Sequence, residues 1–336
     1  MTQENKVTTL DAEAISTKST SLWQVTWRRL FRRRSAVVGM VILGILVLIA
    51  LTGTLVVDHW LYPYCPVLLL LAVGMFGTAA WELATLIPEP SRPSRWEMAL
   101  TVTILLSTVW ATRAFGASAP NSWQIILAIY LAVLVGHFFW CMAFFKGPGH
   151  HVVHLALLGW GGAYLGLLPA ALAHLRWLGG PEQSAPGLKA LLLTIAVTKV
   201  GDVGAYFVGR YSGRNQMAPL LSPRKTWEGF AGGLALAVVT AVCLNELLAP
   251  RGTTLPGPIP GPWMAALFGV TVGLAGVLGD LAESLIKRDQ GSKDASTLLP
   301  GFGGMLDLVD ALLLAGPVAY IWFVGIEMMA PRIPGP

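Results

Sequence analysis

About nine apolar runs of roughly 20 residues, separated by short polar breaks, leave this 336-residue chain few ways to fold. They fall near 36–57, 66–87, 97–115, 123–145, 152–173, 187–208, 228–249, 263–286 and 304–330. A run of that length crosses the ~30 Å hydrocarbon layer as a helix, and hydrocarbon offers no partner for an unpaired peptide group. The runs lack the alternation of a transmembrane barrel, so the expected fold class is all-α, a polytopic integral membrane protein. Charged residues make up 12% of the chain, against about 25% in soluble domains, and hydrophobic residues make up 54%. Cytoplasmic loops are enriched in Lys and Arg. A cytoplasmic N-terminus puts most of the 23 basic residues on that side, among them Arg224, Lys225, Lys287, Arg288 and Lys293.

Three regions are expected: a polar tail with a basic interfacial segment (1–35), N-terminal transmembrane helices (36–173) and a C-terminal transmembrane region (187–330) that carries the chemistry. Residues 23–34 combine Trp, Leu and Phe with five arginines' worth of positive charge, and read as a topology anchor on anionic headgroups. The first apolar run begins too far into the chain, and is too long, for a cleaved leader. Cys65, Cys141 and Cys243 show neither metal nor disulfide spacing. His150 and His154 would share a helix face, but no acidic residue stands near them in sequence, so an interfacial structural role is expected.

Charge beside apolar helices costs roughly 2.5 to 3.5 kcal/mol per group at bilayer depth, so its clusters mark candidate chemistry. Asp280, Glu283, Ser284 and Lys287 fall along one helix face at the end of the eighth run. The ninth opens with Asp307 and Asp310, also one turn apart. Packed as antiparallel neighbours, these helices would converge four carboxylates: Asp280, Glu283, Asp307 and Asp310. A hard divalent cation, Mg²⁺, resolves their repulsion, because it prefers oxygen ligands and shares them with substrate phosphates. The competing reading pairs these acids with Lys287, Arg288 and Lys293.

The stretch before the seventh run supplies the complementary groups. Arg224 and Lys225 are cations, Ser222 and Thr226 are hydroxyls, and a helix N-terminus there would favour phosphate. The same letters also describe an ordinary helix start. Lys199 and Asp202, one turn apart in the sixth run, are either a structural bridge or part of a polar cavity wall. No Walker-type phosphate loop is present. Together these features point to a cytoplasm-facing site for phosphoryl or nucleotidyl transfer between a soluble and a lipid substrate.

The run 284–310 resembles the signature of the phosphatidate cytidylyltransferases, or CDP-diacylglycerol synthases. Asp202 with 205–210, and the stretch 222–229, are similar to that family's other recurring motifs. The resemblance covers about 195–330 and implies transfer of CMP from CTP to phosphatidate, giving CDP-diacylglycerol and pyrophosphate with Mg²⁺, K⁺ being a candidate second cation. It implies Asp280, Asp307 and Asp310 as metal ligands, with Glu283 in support. It implies phosphate contacts from Ser222, Arg224, Lys225, Lys287, Arg288 and Lys293, beside the Thr226 hydroxyl. Asp294 would orient Lys293 or a metal-bound water. Lys225, Lys293, Asp294 and Asp307 are the residues expected to matter most for turnover. Two positions depart from the pattern: Phe302 stands where His is usual, and Leu308 where Arg is usual.

The expected setting is the inner (plasma) membrane with the site facing the cytoplasm. CTP, phosphatidate and membrane lipids are the expected partners, nucleic acid is not among them, and a homodimer is held open. Two alternatives are a CTP-dependent polyprenol or phytol-type lipid kinase, and a transporter using Lys199, Asp202 and Asp280 as an ion path.

Overall fold

The computed structural model describes residues 56–116, 118–179, 184–249, 258–292, 295–296 and 303–329. The expected first span up to residue 55, the basic segment at 23–34, Lys293, Asp294 and Phe302 lie outside the described residues.

The fold is built from helices: α1 (Pro66–Leu86), α2 (Arg95–Ala114), α3 (Ala119–Ala143), α4 (His151–Trp177), α5 (Ser184–Ser212), α6 (Trp227–Leu247), α7 (Pro262–Asp289) and α8 (Met305–Met329). Among the described residues seven of them, all but α2, are long and apolar enough to cross a membrane. The protein is therefore a polytopic membrane protein. α2 follows the expected 97–115 run but opens on Arg95 and Glu97, which lower its hydropathy. α4 is continuous through one π turn at Ala163–Leu167 and ends in a 3-10 turn at Leu175–Trp177.

Helix starts follow local chemistry. Pro occupies the first turn of α1, α3 and α7, where its missing N–H costs nothing. α1 is capped from a distance: the buried Asp58 carboxylate accepts from Val67 N–H at 2.9 Å and Leu68 N–H at 2.8 Å. Ser94 and Glu97 form a reciprocal capping box on α2.

The expectation of helix alone needs one correction. Gln216–Ala218 (β1) and Ser222–Thr226 (β2) pair as an antiparallel hairpin, with Gln216 opposite Thr226 and Ala218 opposite Ser222. The sequence around Ser222 reads as a helix start because Thr226 does serve as one: its hydroxyl accepts from Gly229 N–H at 3.1 Å. The strand ends on the residue that caps α6. Pro223 is tolerated because a two-stranded ribbon is all edge.

One packed core joins α5 to α6, α7 and α8, with Val197, Ala237, Phe268, Val272 and Ala315 fully buried. A second places α8 residues Leu306, Val309 and Leu313 against Ala79, Leu83 and Met98 of α1 and α2. The last helix thus belongs to both cores, which fixes the position of its first two turns, where Asp307 and Asp310 stand. α5 and α6 approach closely because Gly233 lacks a side chain: a Cβ there would lie 2.8 Å from both Ala205 Cβ and Gly201 O. His150 and His154 do not act together as their spacing suggests. His154 instead faces His137 and Glu97.

Candidate active site

Five elements surround a cavity of about 550 Å³: α5 contributes Asp202, Tyr206 and Arg210, β1 contributes Met217, β2 contributes Arg224, Lys225 and Thr226, α6 contributes Phe230, and α7 contributes Asp280. Apolar and charged groups share this wall. Lys225 Nζ pairs with Asp280 Oδ2 at 2.7 Å, tying the hairpin to α7. Arg210 donates to the Tyr206 hydroxyl at 2.6 Å. Lys199 and Asp202 form a 3.3 Å ion pair one turn apart on α5.

Beside the cavity the acidic residues divide into two groups. Carboxylate oxygens of Asp280, Glu283 and Asp310 all lie within 4.8 Å of one another, with Glu283 and Asp310 buried. Asp307 is not one of these three, and it adjoins them at Glu283 through the shared Lys287. Its Oδ2 accepts from Gly304 N–H at 2.6 Å and Ala295 N–H at 3.3 Å, and its Oδ1 accepts from Lys287 at 2.5 Å. The same ammonium reaches Glu283 Oε2 at 2.5 Å, so one lysine bridges two acids.

The convergence expected of helices α7 and α8 is present because Gly279 lets them touch. A Cβ on Gly279 would lie 2.5 Å from the Asp310 carbonyl oxygen. Gly279→Ala is expected to push α8 off α7, at about 1–3 kcal/mol, and to separate Asp280 from Asp310. Thermal unfolding and turnover should fall together, and a variant with both unchanged would contradict the packing.

Of the other expected site residues, Arg224, Lys225 and Thr226 face the cavity, while Ser222 closes the hairpin opposite Ala218. Arg288 donates to Leu221 O at 3.1 Å and Ser292 O at 3.2 Å, so it braces the hairpin against the end of α7. Neither Lys287 nor Arg288 lines the cavity. Leu308, where the resemblance has Arg, packs against the second core.

Sequence reasoning missed Glu82. It is buried in α1, yet it accepts from Ser296 Oγ at 2.5 Å and from Leu306 N–H at 2.8 Å, a residue 224 positions away. A carboxylate at the start of α8 satisfies an otherwise unpaired N–H, that of Leu306, and complements the helix dipole. The signal was a single acid inside an apolar run.

The three-carboxylate cluster suits a hard divalent cation. Two of its members already borrow a lysine, and Glu283 Oε1 is buried without a hydrogen-bond partner. An orphaned carboxylate oxygen beside two further acids fits an oxygen-ligated cation better than a purely structural network.

Apolar spans whose charged groups gather around one cavity define a polytopic membrane protein with an ionic site at the ends of its helices. Residues 35–325 match the cytidylyltransferase family, and the chain belongs to it. It is 36% identical over 179 residues to the phosphatidate cytidylyltransferase of Brucella suis, covering 52% of this chain and 60% of that protein. It is 38% identical over 141 residues to the phosphatidate cytidylyltransferase of Mycobacterium bovis, covering 42% of each. Over 156 residues it is 36% identical to the uncharacterized protein YnbB of Escherichia coli, covering 46% of this chain and 49% of that one. The matched part is thus between 42% and 60% of these relatives' length.

Proposed function

We propose that the protein transfers CMP from CTP to phosphatidate, forming CDP-diacylglycerol and pyrophosphate. The observation that carries this reading is the cavity edge where Arg224, Lys225 and Thr226 face Asp280, next to Glu283 and Asp310. Cations and hydroxyls for phosphates stand beside carboxylates for a metal, on helices that border lipid. Family membership and the relatives named above support the same reaction.

A phosphatidate oxygen forms the new bond to the α-phosphorus of CTP, and the α–β anhydride bond breaks with pyrophosphate leaving. The nucleophile is already ionised near neutral pH and needs no strong base. Arg224 and Lys225 are assigned to hold triphosphate oxygens in line, where fixed cations lower the cost of bringing two anions together. Lys225 would exchange its bond to Asp280 for one to phosphate. Asp280, Glu283 and Asp310 would hold Mg²⁺, which when bound supplies charge neutralisation for the transferred and leaving phosphates. Asp307 is assigned to the metal site by resemblance and is placed by Lys287, Gly304 and Ala295. Lys293 and Asp294 keep the roles that the resemblance gives them. The reading carries with it about nine spans, a cytoplasmic N-terminus, a site on the cytoplasmic face of the plasma membrane, and K⁺ and a homodimer as open additions.

The test is product release by purified protein in detergent supplied with phosphatidate, CTP and Mg²⁺, each omitted in turn. Pyrophosphate release that requires all three is expected. Release of CDP in its place would assign the protein to the lipid kinases and overturn the reading.

A further inference from the structure

Glu97, His137 and His154 come from three different helices and meet at one point. Glu97 lies in the first turn of α2, where Ser94 N–H holds its Oε2 at 2.9 Å. His137 comes from the closing turns of α3, and His154 from the opening turn of α4. His154 Nε2 is 3.3 Å from His137 Nε2 and 3.2 Å from Glu97 Oε2, and His137 Nε2 is 3.9 Å from Glu97 Oε1.

Hydrogen bonds do not satisfy this arrangement. Each Nε2 of a neutral imidazole is either donor or acceptor. If His154 donates to Glu97, it cannot accept from His137, whose only remaining partner in the cluster is a carboxylate oxygen at 3.9 Å, beyond hydrogen-bond range. If His137 donates to His154, the His154–Glu97 contact carries no proton. Every distribution of protons leaves one close contact unmade, whereas a cation accepting a lone pair from each of the three side chains satisfies them all.

The spacing agrees with that solution. Tetrahedral sites with metal–ligand bonds of about 2.0–2.1 Å have ligand–ligand edges of about 3.3–3.4 Å. Two of the three separations here are 3.3 and 3.2 Å. The rings are parallel to within 8°, and their centroids are 5.4 Å apart while the Nε2 atoms are 3.3 Å apart, so nitrogen edges rather than ring faces point at the shared position. Two imidazoles and one carboxylate suit Zn²⁺ and its first-row neighbours, not Mg²⁺. The side chains are 13–31% exposed, which leaves room for a fourth ligand from solvent.

We propose that Glu97, His137 and His154 form a transition-metal site, with Zn²⁺ as its ion, which pins the end of α3 to α2 and α4. It shares no residue with the acidic cluster of α7 and α8. α3 has most to gain from such a clamp. Only 6% of its apolar window is buried, and Phe138, Phe139 and Trp140 face outward around His137.

Tag-free full-length protein in detergent, stripped with a chelator, is titrated with Co²⁺ as a spectroscopic probe and then with Zn²⁺. Tetrahedral Co²⁺ bands saturating at about one ion per chain, and displaced by Zn²⁺, are expected. His137→Gln should lose the bands, and Asp310→Asn should keep them. In Asp310→Asn, which Mg²⁺ no longer stabilises, Zn²⁺ should still raise the unfolding temperature, and in His137→Gln it should not. Absence of tetrahedral bands in the wild-type protein overturns the proposal whatever the variants do, and so does wild-type binding by His137→Gln.

Discussion

Asp310→Asn is expected to lower turnover by about 10²- to 10³-fold while leaving the metal-free protein folded and more stable than the wild type. The two effects have one cause. Asp310 is 7% exposed, lies within 4.8 Å of the Asp280 and Glu283 oxygens, and among the described residues makes no ion pair of its own. Lys225 serves Asp280 and Lys287 serves Glu283. An acid kept in such a place without a cation is a cost to folding, and the proposed reaction is the reason to keep it. Asparagine preserves size and removes the charge, so the repulsion goes and the capacity to hold a divalent cation goes with it. The measurements are turnover with CTP and phosphatidate, and thermal unfolding with and without Mg²⁺. Mg²⁺ should stabilise the wild type and not the variant. Asp289→Asn, at an exposed position bonded to Gln290, is the control. Turnover within a few-fold of wild type would remove Asp310 from the proposed site.

What made this residue visible in sequence is the bilayer. Lipid fixes the length of each apolar run and makes isolated charge expensive, so both the helices and the acid-bearing turns of α7 and α8 can be read from letters alone. The same logic does not choose partners. Glu82 meets Leu306 across 224 residues, and Glu97 meets His137 and His154 across two other helices. Such pairings depend on which helices neighbour each other, and apolar periodicity is nearly uniform around helices bathed in lipid. The hairpin was hidden for a local reason, since Thr226 closes a strand and caps a helix at once. Asp307 and Asp310, one turn apart on α8, read alike in sequence. Packing sends Asp310 to the acidic cluster and Asp307 to Lys287 and the Gly304 amide.

Lys287 is where the resemblance and the geometry assign different work, and its replacement distinguishes them. The resemblance implies a phosphate contact. In the fold its side chain is 12% exposed and its ammonium is shared by Glu283 Oε2 and Asp307 Oδ1, both at 2.5 Å. Lys287→Met keeps the aliphatic stem but leaves two carboxylates facing each other, one of them 1% exposed. Removing one partner of a buried ionic network costs about 3–5 kcal/mol, because the remaining charge can neither pair nor reach water. The variant is therefore expected to unfold at markedly lower temperature, and Glu283→Gln in the same chain should restore a large part of the loss. That coupling, read from a double-mutant cycle, belongs to a bridge and not to a substrate contact. A phosphate contact predicts the opposite pattern: stability close to wild type, a raised KM for CTP, and no recovery from Glu283→Gln. The cycle thus decides whether Lys287 meets the nucleotide or positions the acids beside it, since two of its three ammonium N–H donors already serve Glu283 and Asp307.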